Sequence, residues 1–174
     1  KRAEGGEGEL YEEIRYEAYG PAGSAFVIEC LTDSRNRAAA AIRSLFTKHG
    51  GSLAENGSVI FMFEHKGVVR FNKAVASDDD IFEEAVLLGA DSVESDDELH
   101  EIQTEINGYT AIRDSLIEKY GDPVSAAIEW LAKDNIDIDA SKSDTMLKVI
   151  DLLEEDDDVQ SFYTNANIPE EEGE

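Results

Sequence analysis

Arg35, Arg37, Arg43, Lys48 and His49 crowd one short stretch of the chain, and the chemistry such a set offers is recognition rather than bond making. Guanidinium and ammonium groups dock phosphate oxygens through charge-assisted hydrogen bonds. His49 has no acid or nucleophile at a recognisable spacing, so it reads as a helix-end or surface histidine grouped with these cations and not as a general base. The runs Asp78 to Asp80 and Asp156 to Asp158 could be imagined as cation sites. Neither has the spaced oxygen ligands and turn glycine of a calcium loop, and adjacent carboxylates at a helix start or exit are usually solvated. The chain holds no phosphate-binding glycine loop, zinc ligand set or nucleophile motif. The expectation is a protein that is not an enzyme and uses no metal or cofactor. Cys30 lies in the apolar alternation FVIEC, so it is expected as a buried thiol in a reducing compartment.

Charge sharpens that reading. The chain has 174 residues, 40 acidic and 15 basic, for a formal net charge of −25. Most of its surface would therefore repel a nucleic acid backbone. From Ser34 to Lys73, however, seven basic residues (Arg35, Arg37, Arg43, Lys48, Lys66, Arg70, Lys73) meet only Glu55 and Glu64, a local net charge of +5. A cationic face on an anionic body is expected to turn toward a polyanion, unless these residues are simply solvated helix and strand positions. No apolar run approaches the roughly 20 residues of a membrane-spanning helix, so no membrane partner is expected.

The elements that must position the cations follow from periodicity. YEEIRYEAY, Tyr11 to Tyr19, reads as a strand with Ile14, Tyr16 and Ala18 on one face. Gly20-Pro21-Ala22-Gly23 turns the chain into a second strand, Ala25 to Leu31. Asp33 or Ser34 caps a helix whose Ala38, Ala41, Ile42, Leu45 and Phe46 form its buried stripe, and Gly50-Gly51 ends it. Asn56-Gly57 marks a further turn. Ser58 to His65 and Val68 to Asn72 read as two strand segments joined at Lys66-Gly67. From Ser77 the order is an N-capped acidic helix, short strands near Ser92 to Glu94 and Glu98 to Glu105, a helix from about Tyr109 after the turn Asn107-Gly108, and a strand Ser125 to Ala132. Counted from Val68, this is βαββαβ, the ferredoxin-like order. A last helix, Ser141 to Glu154, and strand, Val159 to Asn165, cannot bury their apolar faces alone and must return to the first strands.

The fold class expected is thus α+β, a split α+β domain (10–67 and 134–169) with an inserted ferredoxin-like domain (68–133). Residues 1–9 read as a linker and 170–174 as a disordered acidic tail.

YEAYGPAG, ECLTDSRNR, KHGGSLAENGSV with FMFE, and LKVIDLLEEDDDVQSFYTNANIP resemble, in order, blocks of the YebC family, which is related to the mitochondrial translational activator of cytochrome oxidase. The resemblance implies a second domain with an inserted ferredoxin-like third domain, and a basic helical first domain that is missing here. Tyr19, Gly20, Pro21, Gly23, Gly50, Gly51, Asn56 and Gly57 stand at the family's signature turns. Where relatives usually read YEGYGPGG this chain has Ala18 and Ala22, and Ser34, Ala38, Ser52 and Ala54 are further small-for-small departures.

The resemblance implies a regulator of gene expression, either a DNA-binding transcriptional regulator or a translation factor acting at the ribosome. Its expected partners are DNA or ribosomal RNA, engaged mainly through the first domain and the 34–73 face, with ribosomal proteins as further contacts. A cytoplasmic monomer is expected in bacteria, and a mitochondrial location for an organellar relative. The competing expectation is an acidic protein-binding module with no nucleic acid contact, since ferredoxin-like folds host many unrelated functions.

Overall fold

The computed structural model describes residues 10–168. The linker and tail expected at 1–9 and 170–174 lie outside them. The chain divides into two compact units, one built from 10–64 with 131–168 and the other from His65–Trp130.

In the first unit, β1 (Glu12–Tyr19) and β2 (Ala25–Thr32) form an antiparallel hairpin. Their register sets Ile14 opposite Cys30, Tyr16 opposite Ile28 and Ala18 opposite Phe26. Period-two alternation therefore gathers all six on one face. Onto this face pack α1 (Arg35–Thr47) and α4 (Ala140–Glu155). Their Ile42, Leu45, Phe46, Met146, Val149 and Leu153 complete the core, and the Phe26 and Phe46 rings meet edge-on at 5.1 Å. Cys30 is buried there as a thiol. The sheet order is β3-β1-β2-β8, with β3 (Ser52–Ala54) on the outside of β1 and β8 (Val159–Thr164) returning beside β2. Asn165 fastens that return, its side chain accepting from the Ala25 N–H at 2.8 Å.

In the second unit, β4 (Phe63–Asn72), α2 (Asp78–Leu88), β5 (Ser92–Ser95), β6 (Leu99–Thr104), α3 (Ile106–Tyr120) and β7 (Ser125–Ala132) give the sheet order β5-β6-β4-β7. That is the ferredoxin-like order, with the first strand beside the third and fourth. Val69, Phe71, Ile81, Ala85, Ile102, Tyr109, Ile112 and Leu116 make its own core.

Three local readings are corrected. Ser58 to His65 is not a strand: Val59 drops into the interior, a single 3-10 turn follows at Ile60–Met62, and β4 begins at Phe63. Lys66-Gly67 is no joint, because β4 runs through it. Gly67 is required for packing, since a Cβ there would lie 2.4 Å from Thr104 Oγ1 and 2.5 Å from the Tyr109 ring. Asn107-Gly108 likewise belongs to the first turn of α3, which starts at Ile106.

Candidate nucleic-acid interface

Helix α1 carries most of the candidate residues, and its sequence explains its bounds. Ser34 is the N-cap, its hydroxyl accepting from the Arg37 N–H at 3.2 Å. At the other end Gly50 takes φ +85°, and the Gly51 N–H reaches back to the Phe46 carbonyl at 2.8 Å. Gly51 then passes so close to β1 that a Cβ would stand 1.9 Å from the Tyr19 carbonyl oxygen.

The cations at the two ends differ in kind. Arg37 is committed within the protein: its guanidinium donates to Asp158 through Nε at 3.1 Å and Nη2 at 2.8 Å, and to Asp33 at 2.8 Å. Asp158 is buried, so this fork ties the start of α1 to the turn entering β8. Hydrogen bonding to Asp158 first, and then to Asp33, raises the pKa of Arg37. Arg35 donates to Glu12 at 3.2 Å on the exposed side. Arg43 and Lys48, by contrast, are exposed near the C-terminal end of α1, and no carboxylate among the described residues pairs with either. His49 lies beside Lys48, its Nδ1 2.7 Å from the Leu45 carbonyl. The nitrogen must donate in that pair, which leaves Nε2 as the ring atom not used by it. Ala41, Ser44, Leu45, Lys48 and His49 border a shallow groove of about 360 Å³ whose far wall is Leu152, Glu155 and Asp156.

The other three cations of the 34–73 window belong to the second unit, and carboxylates occupy them. Lys66 pairs with Asp91, Lys73 with Asp78, and Arg70 with Glu101 at 3.0 Å and Glu129 at 2.9 Å. Hydrogen bonding to Glu129 outweighs partial burial and raises the Arg70 pKa. Counted in sequence the window is one cationic stretch. In space its charge resides chiefly in Arg43 and Lys48.

The signature turns are structural. Gly20 has no room for a side chain, because a Cβ would meet the Phe26 ring at 2.5 Å. Pro21 is buried, and its carbonyl accepts from the Ser24 hydroxyl at 2.8 Å. Asn56-Gly57 is held by a residue that sequence reasoning missed, Glu17. Its fully buried carboxylate accepts from the backbone N–H groups of Gly57 (2.8 Å), Val59 (2.9 Å) and Ile60 (2.9 Å). Burial pushes the Glu17 carboxyl up, yet the three N–H donors and the Arg15 guanidinium outweigh it and hold the group below its ordinary value. The sequence carries no hint of this, because period two sets Glu17 on the face of β1 opposite Tyr16 and Ala18, where an acid reads as solvated, and the segment that covers it arrives from some forty residues away.

Among the described residues, no three His, Cys, Asp or Glu side chains come together as a metal set, and no helix is long and apolar enough to cross a membrane. The fold and this site define a class: a split α+β domain with a ferredoxin-like insert, offering exposed cations on one helix of an otherwise acidic body. Residues 11–166 match the TACO1/YebC second and third domain, and the chain belongs to that family. A crystal structure of a conserved hypothetical protein, Aq1575 from Aquifex aeolicus, is similar at 36% identity and a TM-score of 0.83, over 95% of this chain and 68% of that one.

Proposed function

We propose that the chain is a nucleic-acid-associated regulator of gene expression that meets phosphates through the C-terminal part of α1, with Arg43 and Lys48 as its contacts and His49 beside them. The observation that carries this reading is the ion-pair pattern. Arg35, Arg37, Lys66, Arg70 and Lys73 each have a carboxylate partner, while Arg43 and Lys48 are exposed with none among the described residues. Two phosphate contacts are a modest electrostatic contribution, and the negative end of the helix dipole opposes them. Most of the affinity is accordingly assigned to the basic first domain that the family resemblance implies. The unit His65–Trp130 supports a different role. With five Lys or Arg against sixteen Asp or Glu, it favours protein over nucleic acid as its partner.

The test is an Arg43→Glu, Lys48→Glu double variant of the full-length protein, measured by gel shift on DNA and by co-sedimentation with ribosomes across a salt series. Loss of both contacts should weaken binding and lower the slope of log affinity against log salt by about 2. Unchanged affinity and slope on both targets overturns the assignment. Loss on one target alone chooses between DNA and ribosomal RNA.

A further inference from the structure

Asn56-Gly57 joins the most reactive side-chain amide in a polypeptide to the least hindered backbone nitrogen, and both residues are exposed. The pair occupies the two central positions of a turn closed by the Ser58 N–H on the Glu55 carbonyl at 3.0 Å, with Gly57 at φ +96°. We infer that Asn56 is a latent deamidation site, held unreactive in the native fold by the Glu17 carboxylate.

The chemistry needs only water. The Gly57 backbone nitrogen, once deprotonated, attacks Cγ of Asn56. A new N–Cγ bond forms, the Cγ–Nδ2 bond breaks, and the amide nitrogen leaves as ammonia. The resulting succinimide is hydrolysed at either carbonyl, giving aspartate or the isoaspartyl linkage in which the main chain runs through Cβ. No oxidant, reductant or cofactor enters.

Glu17 obstructs the first step in two ways. It takes the hydrogen that must be lost, since the Gly57 N–H donates to Glu17 Oε2 at 2.8 Å. It also places a buried negative charge beside a nitrogen that must itself become negative. Oε1 meanwhile accepts from Val59 and Ile60, so releasing Gly57 means lifting the whole 57–60 segment off β1. Reaction therefore proceeds from the fraction of molecules in which this segment is open. The isoaspartyl product cannot close again in register. An isoaspartyl linkage adds a methylene to the backbone inside the turn and leaves a new carboxylate next to Glu17. The site thus records, irreversibly, how long the loop has been open.

The experiment uses the intact chain, aged in mildly alkaline buffer and analysed by peptide mapping with a fragmentation method that separates aspartyl from isoaspartyl. The reference is a synthetic peptide spanning residues 52–60. Deamidation at Asn56 should be at least about tenfold slower in the native chain than in the peptide, the loss expected when a hydrogen bond to a charged group must first break. Glu17→Gln should recover most of that factor. Asn107-Gly108, inside α3, serves as the control for global unfolding. Equal rates at Asn56 in native chain and peptide overturn the inference, as does a folded Glu17→Gln chain that ages like the wild type. Should Glu17→Gln also speed Asn107, hydrogen exchange of the wild-type Gly57 amide decides: protection supports the guard, and free exchange overturns it.

Discussion

Ala22 sits at φ 61° and ψ 25°, the left-handed region that residues with a Cβ adopt at a cost, and among the described residues it is the non-glycine with positive φ. It is exposed, and no packing repays the strain. Ala22→Gly should therefore raise stability by about 0.5–1 kcal/mol, the steric gain exceeding the extra freedom given to the unfolded chain. The urea midpoint measures it, and a lower midpoint refutes it. Glu17 matters more to stability than Ala22 does. Because its folded pKa lies below the ordinary 4.5, its contribution is full above that value and is lost as pH falls through the lower folded one. Glu17→Gln keeps one acceptor oxygen for three donors and should cost about 1–3 kcal/mol at neutral pH. It should also flatten the acid limb of stability against pH, which a urea series from neutral to strongly acidic buffer would show. An unchanged limb would assign the acid sensitivity to other carboxylates.

At the scale of elements, the close passage of Gly51 beneath Tyr19 joins the end of α1 to the edge of the sheet. From there β3 pairs with β1, Leu53 opposite Ala18. A methyl group at 51 has nowhere to go, because the atom it meets is a backbone oxygen. Gly51→Ala should destabilise the protein by about 3 kcal/mol, against a few tenths for Ala at an unhindered surface site. Thermal melts of this variant beside Ser52→Ala, one residue on and exposed, would separate the two effects. The long elements were legible in sequence because their apolar periods are strong, as in Ile14, Tyr16 and Ala18 on β1 or Ala38, Ile42 and Phe46 on α1. The strand β3 was not, having three residues and therefore no period to read. Val59, Ile60 and Phe61 look like a strand but are a covering turn, its backbone N–H groups satisfied by a carboxylate some forty residues earlier. The 34–73 stretch is less cationic in space than in sequence for a related reason. A local charge window cannot register the acids that arrive from a distance, Glu129 to Arg70 and Asp158 to Arg37.

For the molecule as a whole, the two cores share no residue. One draws only on positions between Tyr16 and Leu53 and between Ile136 and Ala166, and the other only on positions between Val69 and Ala126. The chain leaves the first unit and re-enters it at neighbouring points, since the Lys133 N–H donates to the Met62 carbonyl at 2.9 Å. A short flexible joint can bridge that gap at little entropic cost. Replacing 65–130 by a few Gly and Ser residues should then leave a first unit that unfolds in one cooperative urea transition. Its slope should be reduced roughly in proportion to the smaller surface exposed. The same excision bears on function: if phosphate contact resides on α1, the shortened full-length protein keeps its salt-dependent binding and loses only what His65–Trp130 contributes. A first unit that shows no cooperative transition would mean that the insert is required for the fold around it, and that α1 cannot be treated as an independent docking face.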